Sequence, residues 1–325
     1  MRRTLITIAV LLIAASTRAA DIYPSKPIRM VVPYAPGGGS DIVARIAGQK
    51  MSEALGQTIV VDNRPGAAGM LGADLAAVAP ADGYTLLLAD SSFTINSSYY
   101  TKQVHYDAQK SFVPVALVAD TPYVLIVHPS VPAKSLAEFI ALAKAQPGKI
   151  NIGSAGNGSG SHLTGELFRL KAGVNFIHIP YKGSGPSTAD VVAGQIQATF
   201  ATAPGAVPFI KAGRLRALVA ASPQRSATLP DVPTFVELGF KDIVVTNWYG
   251  IVAPGRTPQA IIAGMQEGIV SALRAPDVVQ RMSADGSTPV GSSPAQFAAY
   301  LKSEVSRWRT FVREAGLALN SGATR

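Results

Sequence analysis

Short runs of β-branched residues alternate with helix-like segments along most of this 325-residue chain, and that alternation predicts βαβ units built on a parallel sheet. The pattern predicts strands at Ile28–Pro33, Thr58–Asp62, Tyr84–Ala89, Ile150–Gly153, Phe176–Pro180, Ile196–Ala201 and Leu215–Ala220. Helices are predicted between them at Ser40–Leu55, Ala67–Val78, Ser135–Ala145, Ser161–Ala172 and Thr188–Ala193. The tail reads as three helices, Pro258–Arg274, Pro276–Asp285 and Pro294–Ala315, each opened by a proline where a helix tolerates one. Two places break the rhythm. Val113–Ala119 and Tyr123–His128 read as consecutive strands with only Asp120, Thr121 and Pro122 between them, and Val244–Ala253 reads as one long extended run. A chain that passes twice between two lobes has this form, and a length prior of roughly 150 residues per domain agrees with two. The expected α/β architecture puts residues 21–122 with 249–325 in one lobe and 123–248 in the other. The two crossover strands would serve as hinge, with a cleft between the lobes.

The first twenty residues stand apart. Arg2 and Arg3 precede an apolar run from Leu5 to Ala15, and Ala19 and Ala20 offer a small-residue cleavage edge. This is the form of a secretory signal peptide, so an exported, periplasmic protein is expected. A membrane anchor needs about 20 apolar residues, and Arg18 interrupts too soon. The formal net charge of +9 includes Arg2, Arg3 and Arg18, which leaves +6 on the mature chain. The basic residues are scattered; Arg307, Arg309 and Arg313 read as a solvated helix face, and no nucleic-acid partner is expected. With 48% hydrophobic and 15% charged residues, the chain can form a sizeable core and is not a disordered polyelectrolyte. It has no cysteine, which excludes disulfides, thiolate metal sites, cysteine nucleophiles and a lipidated N-terminal cysteine.

Ligands of open α/β sheets bind where strands end and turns lead into helices. Two such turns are unusual here. Pro33 to Asp41 contains Tyr34, Pro36, three consecutive glycines (Gly37, Gly38, Gly39), Ser40 and Asp41. Gly153 to His162 contains four glycines with Ser154, Asn157, Gly158, Ser159 and His162. Both expose backbone N–H groups without side-chain obstruction and run into a helix start, whose dipole favours an anion. The two turns are expected to face each other across the cleft and grip a carboxylate. A third turn, with Tyr181 and Lys182, and the strand ends Ala89-Asp90-Ser91-Ser92 and Phe200-Ala201-Thr202-Ala203-Pro204 are expected to line the same cleft. Trp248 and Tyr249 pack either on the ligand or within the lobe interface.

Catalytic and cofactor motifs are missing. The G-x-G-x-x-G spacing fails at both turns, where Ile42 and Ser161 take the third glycine's place, and no phosphate-binding G-x-x-x-x-G-K-[ST] occurs. Neither G-x-S-x-G nor H-E-x-x-H is present. His105, His128, His162 and His178 have no metal-ligand spacing. No catalytic residue, metal or cofactor is expected. His162 reads as a brace for its loop or a ligand contact, with a role as base the competing reading.

Eight segments together resemble a known family. They are Tyr23–Ile28, Ala35–Asp41, Val61–Ala67, Ala81–Leu86, Gly153–Leu163, Pro180–Gly183, Leu229–Thr234 and Trp248–Gly250. In this order and spacing the chain resembles the TctC-type substrate-binding proteins of tripartite tricarboxylate transporters, also called the Bug family, over nearly its whole mature length. The resemblance implies a two-lobed periplasmic binding fold of the doubly crossed type II. It also implies a small organic acid held between the glycine-rich turns, with Tyr34, Gly38, Gly39, Ser40 and Asp41 contributing from one lobe and Ser154, Gly158, Ser159 and His162 from the other. One position departs: where many relatives carry an acidic residue after the strand phenylalanine, this chain has Ala201. That departure argues against an amino acid and for a plain dicarboxylate or an aromatic carboxylate. The expected protein is a monomeric receptor, not an enzyme, that passes its acid to integral membrane transporter subunits. The alternatives are an exported enzyme using His162 or Asp41 as base and a ligand-sensing partner of a signalling receptor.

Overall fold

The computed structural model describes residues 23–100 and 103–317; the leader and its cleavage edge lie outside them. The expected α/β architecture is present. Strand β1 (Ile28–Val32) pairs in parallel with β2 (Ile59–Asn63) and β3 (Thr85–Asp90), and helices α1 (Gly39–Leu55) and α2 (Met70–Ala77) make the connections. Helix α1 buries Val43, Ala44, Ile46, Ala47 and Met51, a stripe at helical spacing. It ends at Gly56, whose φ of 67° suits the left-handed cap that glycine adopts without strain.

A second parallel set follows. Strand β5 (Asn151–Ser154) lies between β6 (Ile177–Pro180) and β7 (Ala198–Thr202). Helices α5 (Gly160–Ala172) and α6 (Ser184–Val192) connect them, after α4 (Leu136–Ala145). The two sets join through β4 (Phe112–Val127) and β9 (Thr246–Pro254), giving the order β2-β1-β3-β9-β4-β7-β5-β6. The first stretch of β4 runs antiparallel to β9, from Phe112 opposite Pro254 to Pro122 opposite Thr246. Its second stretch, Tyr123–Val127, pairs instead with β7 and with β8 (Arg216–Ala220). One strand therefore belongs to both halves.

The two consecutive strands read from the sequence are thus a single 16-residue strand. The link between them does not break the pairing, since Asp120 and Thr121 stay opposite Trp248 and Asn247 of β9. Two helices escaped the pattern altogether. Helix α3 (Ser91–Tyr99) is rich in serine, threonine and asparagine, which are poor helix formers; it is held by an Asp90 cap and by burial of Phe93, Ile95 and Tyr99. Helix α7 (Ala203–Lys211) carries Pro204 in its first turn, where proline is tolerated, but also Gly205 and the interior Pro208, which normally argue against a helix. The tail forms α8 (Gln259–Arg274), α9 (Pro276–Ala284), the short strand β10 (Thr288–Pro289) and α10 (Pro294–Glu314). No helix among the described residues is long and apolar enough to cross a membrane.

One core cluster, with Met30, Ile46, Leu86, Ile251 and Met265, lies within the β1–β3 half. A smaller one, with Val124, Val191, Ile196 and Val207, lies within the β5–β7 half. The largest cluster spans both halves along one face and includes Phe139, Phe168, Phe200, Trp248 and Phe297, each less than 2% exposed. Each such side chain contributes about 1.5–3 kcal/mol by leaving water.

Candidate functional site

Five helices begin around one small cavity where the two halves meet. Its wall includes Ser40 from α1, Asp90 and Ser92 from the start of α3, and Ser159 and Ser161 from the start of α5. Ser184 of α6 and Thr202, the cap of α7, complete that ring of helix starts. Tyr34, Ala155 and the crossing-strand residues Tyr123, Asn247 and Tyr249 close the rest. Helices α1, α6 and α7 have no side-chain cap at this end, so their first N–H groups are free to serve another acceptor. No lysine, arginine or histidine lines the cavity. Its volume is about 20 Å³, room for roughly one water molecule.

The crossing strands carry the polar centre. Asn247 Oδ1 accepts from Ser91 Oγ at 2.6 Å, from Tyr123 Oη at 3.0 Å and from Ser91 N at 3.3 Å. Tyr249 Oη donates to Thr202 Oγ1 at 3.2 Å. Tyr34 Oη donates to Asp90 Oδ1 at 3.1 Å, and Ser92 N donates to the same oxygen at 3.0 Å. Burial pushes the Asp90 carboxyl up to about 6, against the pull of these donors. Burial likewise raises the phenols of Tyr34, Tyr123 and Tyr249 well above their ordinary range, so all three stay neutral.

The two glycine-rich turns both border this cavity, with Tyr34 and Ser40 from the first and Ala155, Ser159 and Ser161 from the second, and their glycines pack on other segments. The first packs on the third turn: Ala35 N donates to Lys182 O at 2.9 Å, and a Cβ on Gly38 would lie 2.6 Å from Ser184 Oγ and 3.0 Å from Gly185 N. The second packs on α3 and its approach. Tyr100 Oη donates to Asn157 O at 2.6 Å. A Cβ on Gly158, where φ is +77°, would meet the Tyr99 and Tyr100 rings at 2.7 and 2.8 Å. Two tyrosine rings thus pack against Gly158.

Of the residues singled out from sequence, Tyr34, Ser40, Ser159 and Thr202 line the cavity. Gly38 and Gly39 lie buried at its edge, and Ser91 sits behind it on Asn247. The others are turned elsewhere. Pro36, Gly37, Asn157 and Lys182 are exposed. Asp41 receives Arg45 Nε at 3.0 Å, Asn63 Nδ2 at 3.0 Å and Gly37 N at 3.1 Å. Burial alone would raise the Asp41 carboxyl, but these partners hold it below the usual range. Ser154 Oγ is bonded to His178 Nε2 at 2.6 Å, and Tyr181 Oη donates to Asp190 Oδ2 at 2.6 Å. His162 stacks on His178 at 4.1 Å, and its Nδ1 accepts from Gly158 N at 3.1 Å. Burial and His178 push His162 down to about 3. The neutral ring braces its loop, and neither His162 nor Asp41 is placed as a base in the cavity. Ala201 is fully buried in the core of the β5–β7 half, while its neighbour Thr202 faces the cavity; its identity therefore does not set the polarity of the cavity wall. Tyr249 lines the cavity, whereas Trp248 packs on Phe297 and Tyr300. Tyr123 and Asn247 carried no sequence signal beyond their place at the crossings.

The family model described as "Tripartite tricarboxylate transporter family receptor" matches residues 43–317. The protein BugT of Bordetella pertussis is 39% identical over 98% of this chain and 99% of its own. The solved periplasmic binding protein BugD superposes with a TM-score of 0.89 at 34% identity, covering 91% of this chain and 99% of that one. Rpa4515 of R. palustris, solved with adipate, gives 0.87 at 31% identity over 91% and 99% of the two chains. MatC of Rhodopseudomonas palustris, solved with bound malate, gives 0.85 at 32% identity over 89% and 100%. Sequence, topology and these likenesses agree: the chain belongs to the tripartite tricarboxylate transporter receptor family and is a periplasmic solute-binding receptor.

Proposed function

We propose that this receptor captures a small organic carboxylate at the junction of its two lobes and delivers it to the membrane subunits of a tripartite tricarboxylate-type transporter. We further propose lobes of residues 21–122 with 249–325 and of 123–248, with 246–248 lying in the crossing strand itself, and removal of a signal peptide near Ala19 or Ala20. The observation that carries the reading is the ring of helix starts around a cavity without a basic side chain. Such a site recognises an anion through backbone N–H groups and hydroxyls rather than through an ion pair. The relatives solved with adipate and malate point to the same class of acid.

A cavity of about 20 Å³ is smaller than any such acid. Capture therefore requires the lobes to part about β4 and β9 and then close on the ligand, a shift between states driven by contacts made from both sides. A thermal-shift screen of mono-, di- and tricarboxylates tests this reading. The expected result is a raised melting temperature with at least one acid, which is recovered unchanged. Absence of stabilisation by all of them, or chemical turnover of the acid, would overturn it.

A further inference from the structure

A receptor for an anion should not bury a carboxylate where its ligand would sit, yet the wall of the proposed binding cavity holds one. Asp90 is 6% exposed and is the one carboxyl side chain in the wall. It ends β3, caps α3 and therefore cannot swing away without uncapping that helix. The titratable groups that face it are Tyr34 from the first turn, Tyr106 from the approach to β4, Tyr123 from β4 and Tyr249 from β9. All four are neutral phenols, so nothing cationic offsets a second negative charge. Two of its hydrogen bonds, from Tyr34 Oη and Ser92 N, fall on the single oxygen Oδ1.

We propose that Asp90 takes up a proton when the receptor binds its acid, so that the organic anion and a proton are captured together. This rests on the carboxylate reading above. In the complex the proton moves from solvent to the Asp90 carboxylate, and the resulting O–H can donate a hydrogen bond where an ionised oxygen would repel. A buried carboxyl already raised to about 6 by burial is pushed further by an adjacent anion, because like charges disfavour the ionised form. Proton and anion are then linked, and each strengthens the binding of the other.

The test is calorimetric titration with adipate, malate and benzoate from about pH 6.5 to about pH 8.5, where these acids are ionised, in buffers of different ionisation enthalpy. The expected result is uptake of close to one proton per acid bound at the upper end, with affinity falling about tenfold per pH unit. Asp90→Asn keeps an equally good helix cap and should bind with no proton uptake and a flat pH profile. Tyr34→Phe removes a donor to the ionised form and should move the onset of the fall to higher pH. Binding by the natural protein without proton uptake would overturn this inference and leave the carboxylate reading intact. A folded Asp90→Asn protein that fails to bind at every pH would also overturn it, since Asp90 would then be needed as an ionised acceptor. Failure of the natural protein to bind any of the acids in the screen at about pH 6 would overturn both readings.

Discussion

A single methyl group at Gly39 is the smallest wedge that can be driven between the lobes. Gly39 opens α1 in the β1–β3 half, and a Cβ there would overlap Thr202 Oγ1 and Tyr249 Oη and lie 3.2 Å from Thr202 Cβ. Neither neighbour is a flexible chain end. Thr202 is fixed on β7, and Tyr249 on the crossing strand β9. Overpacking of this kind costs about 1–3 kcal/mol, and the Thr202 share of it falls on the approximated lobes alone, whereas Tyr249 belongs to the same lobe as Gly39. With the lobes apart the methyl group is free of Thr202 and meets only the end of the Tyr249 side chain. Since φ at Gly39 is not in the left-handed range and alanine suits a helix better than glycine, α1 itself loses nothing.

Gly39→Ala therefore separates closure from folding. If ligand is held by the approximated form, each 1.4 kcal/mol of wedge removes a factor of ten in affinity, so Kd should rise about 5- to 150-fold. The melting temperature without ligand should stay within a few degrees of the natural protein. Titration calorimetry with the tightest acid from the screen reads the first quantity, and scanning calorimetry the second. Small-angle scattering with saturating acid should show a larger radius of gyration in the variant. Unchanged affinity, with unchanged scattering, would refute the closure argument, because the methyl group has no place to go in the approximated arrangement.

Three further outcomes follow from particular contacts. Asn247→Ala strips the shared acceptor from buried Ser91 and Tyr123 and should cost about 1–3 kcal/mol in urea unfolding; no loss would mean that water or a neighbour replaces it. Gly250→Ala puts a Cβ 2.7 Å from Phe297 Cε1 and should destabilise by about 1–3 kcal/mol, read by thermal melting with Trp248 fluorescence. His162 and His178 titrate in the fold at about 3 and about 4, below the 6.5 of a free histidine. Between about pH 4 and 6.5 the unfolded chain therefore binds more protons, so this stability is fully present above about pH 6.5 and drains as pH falls. His178→Asn should reduce the loss between pH 7.5 and 4.5 by on the order of 2 kcal/mol, and an unaltered pH slope in urea melts would contradict the assignment.

Most of the fold was legible because its strands and helices carry their own periodicity. Runs such as Ile28–Val32 and the apolar stripe of α1 need no tertiary knowledge to be read. The doubly crossed plan was legible too, from two extended runs that broke the alternation. What escaped was structure held by the rest of the molecule. Helix α3 reads as a polar loop until its Phe93, Ile95 and Tyr99 are seen to be buried, and α7 forms despite the interior Pro208. The break read between two strands at Asp120–Pro122 is bridged by a partner strand more than 120 residues away in the chain.

The candidate site was half legible for a related reason. A glycine-rich turn announces that something approaches the backbone closely, but sequence does not say what. At Gly38 the neighbour is another turn, and at Gly158 it is the rings of Tyr99, the last residue of α3, and of Tyr100 just after it. Residues of both turns border the one cavity, while the two glycines themselves pack on other segments. The residues that were missed, Tyr123 and Asn247, are brought to the cavity by the crossing strands, whose identity as a shared wall exists only once both halves are assembled. Asp90 shows the same limit most sharply. In sequence its strand end, Ala89–Ser92, reads as cleft-lining, but nothing there tells its charge state from that of Asp62 in β2, which meets Arg29 and Arg64 at the surface. Asp62 is held low by those arginines despite its own partial burial, whereas Asp90 is walled by phenols and pushed the other way. The same side chain at two strand ends thus acquires opposite chemistry from what folds against it, and it is the second that gives an anion receptor a reason to bind a proton.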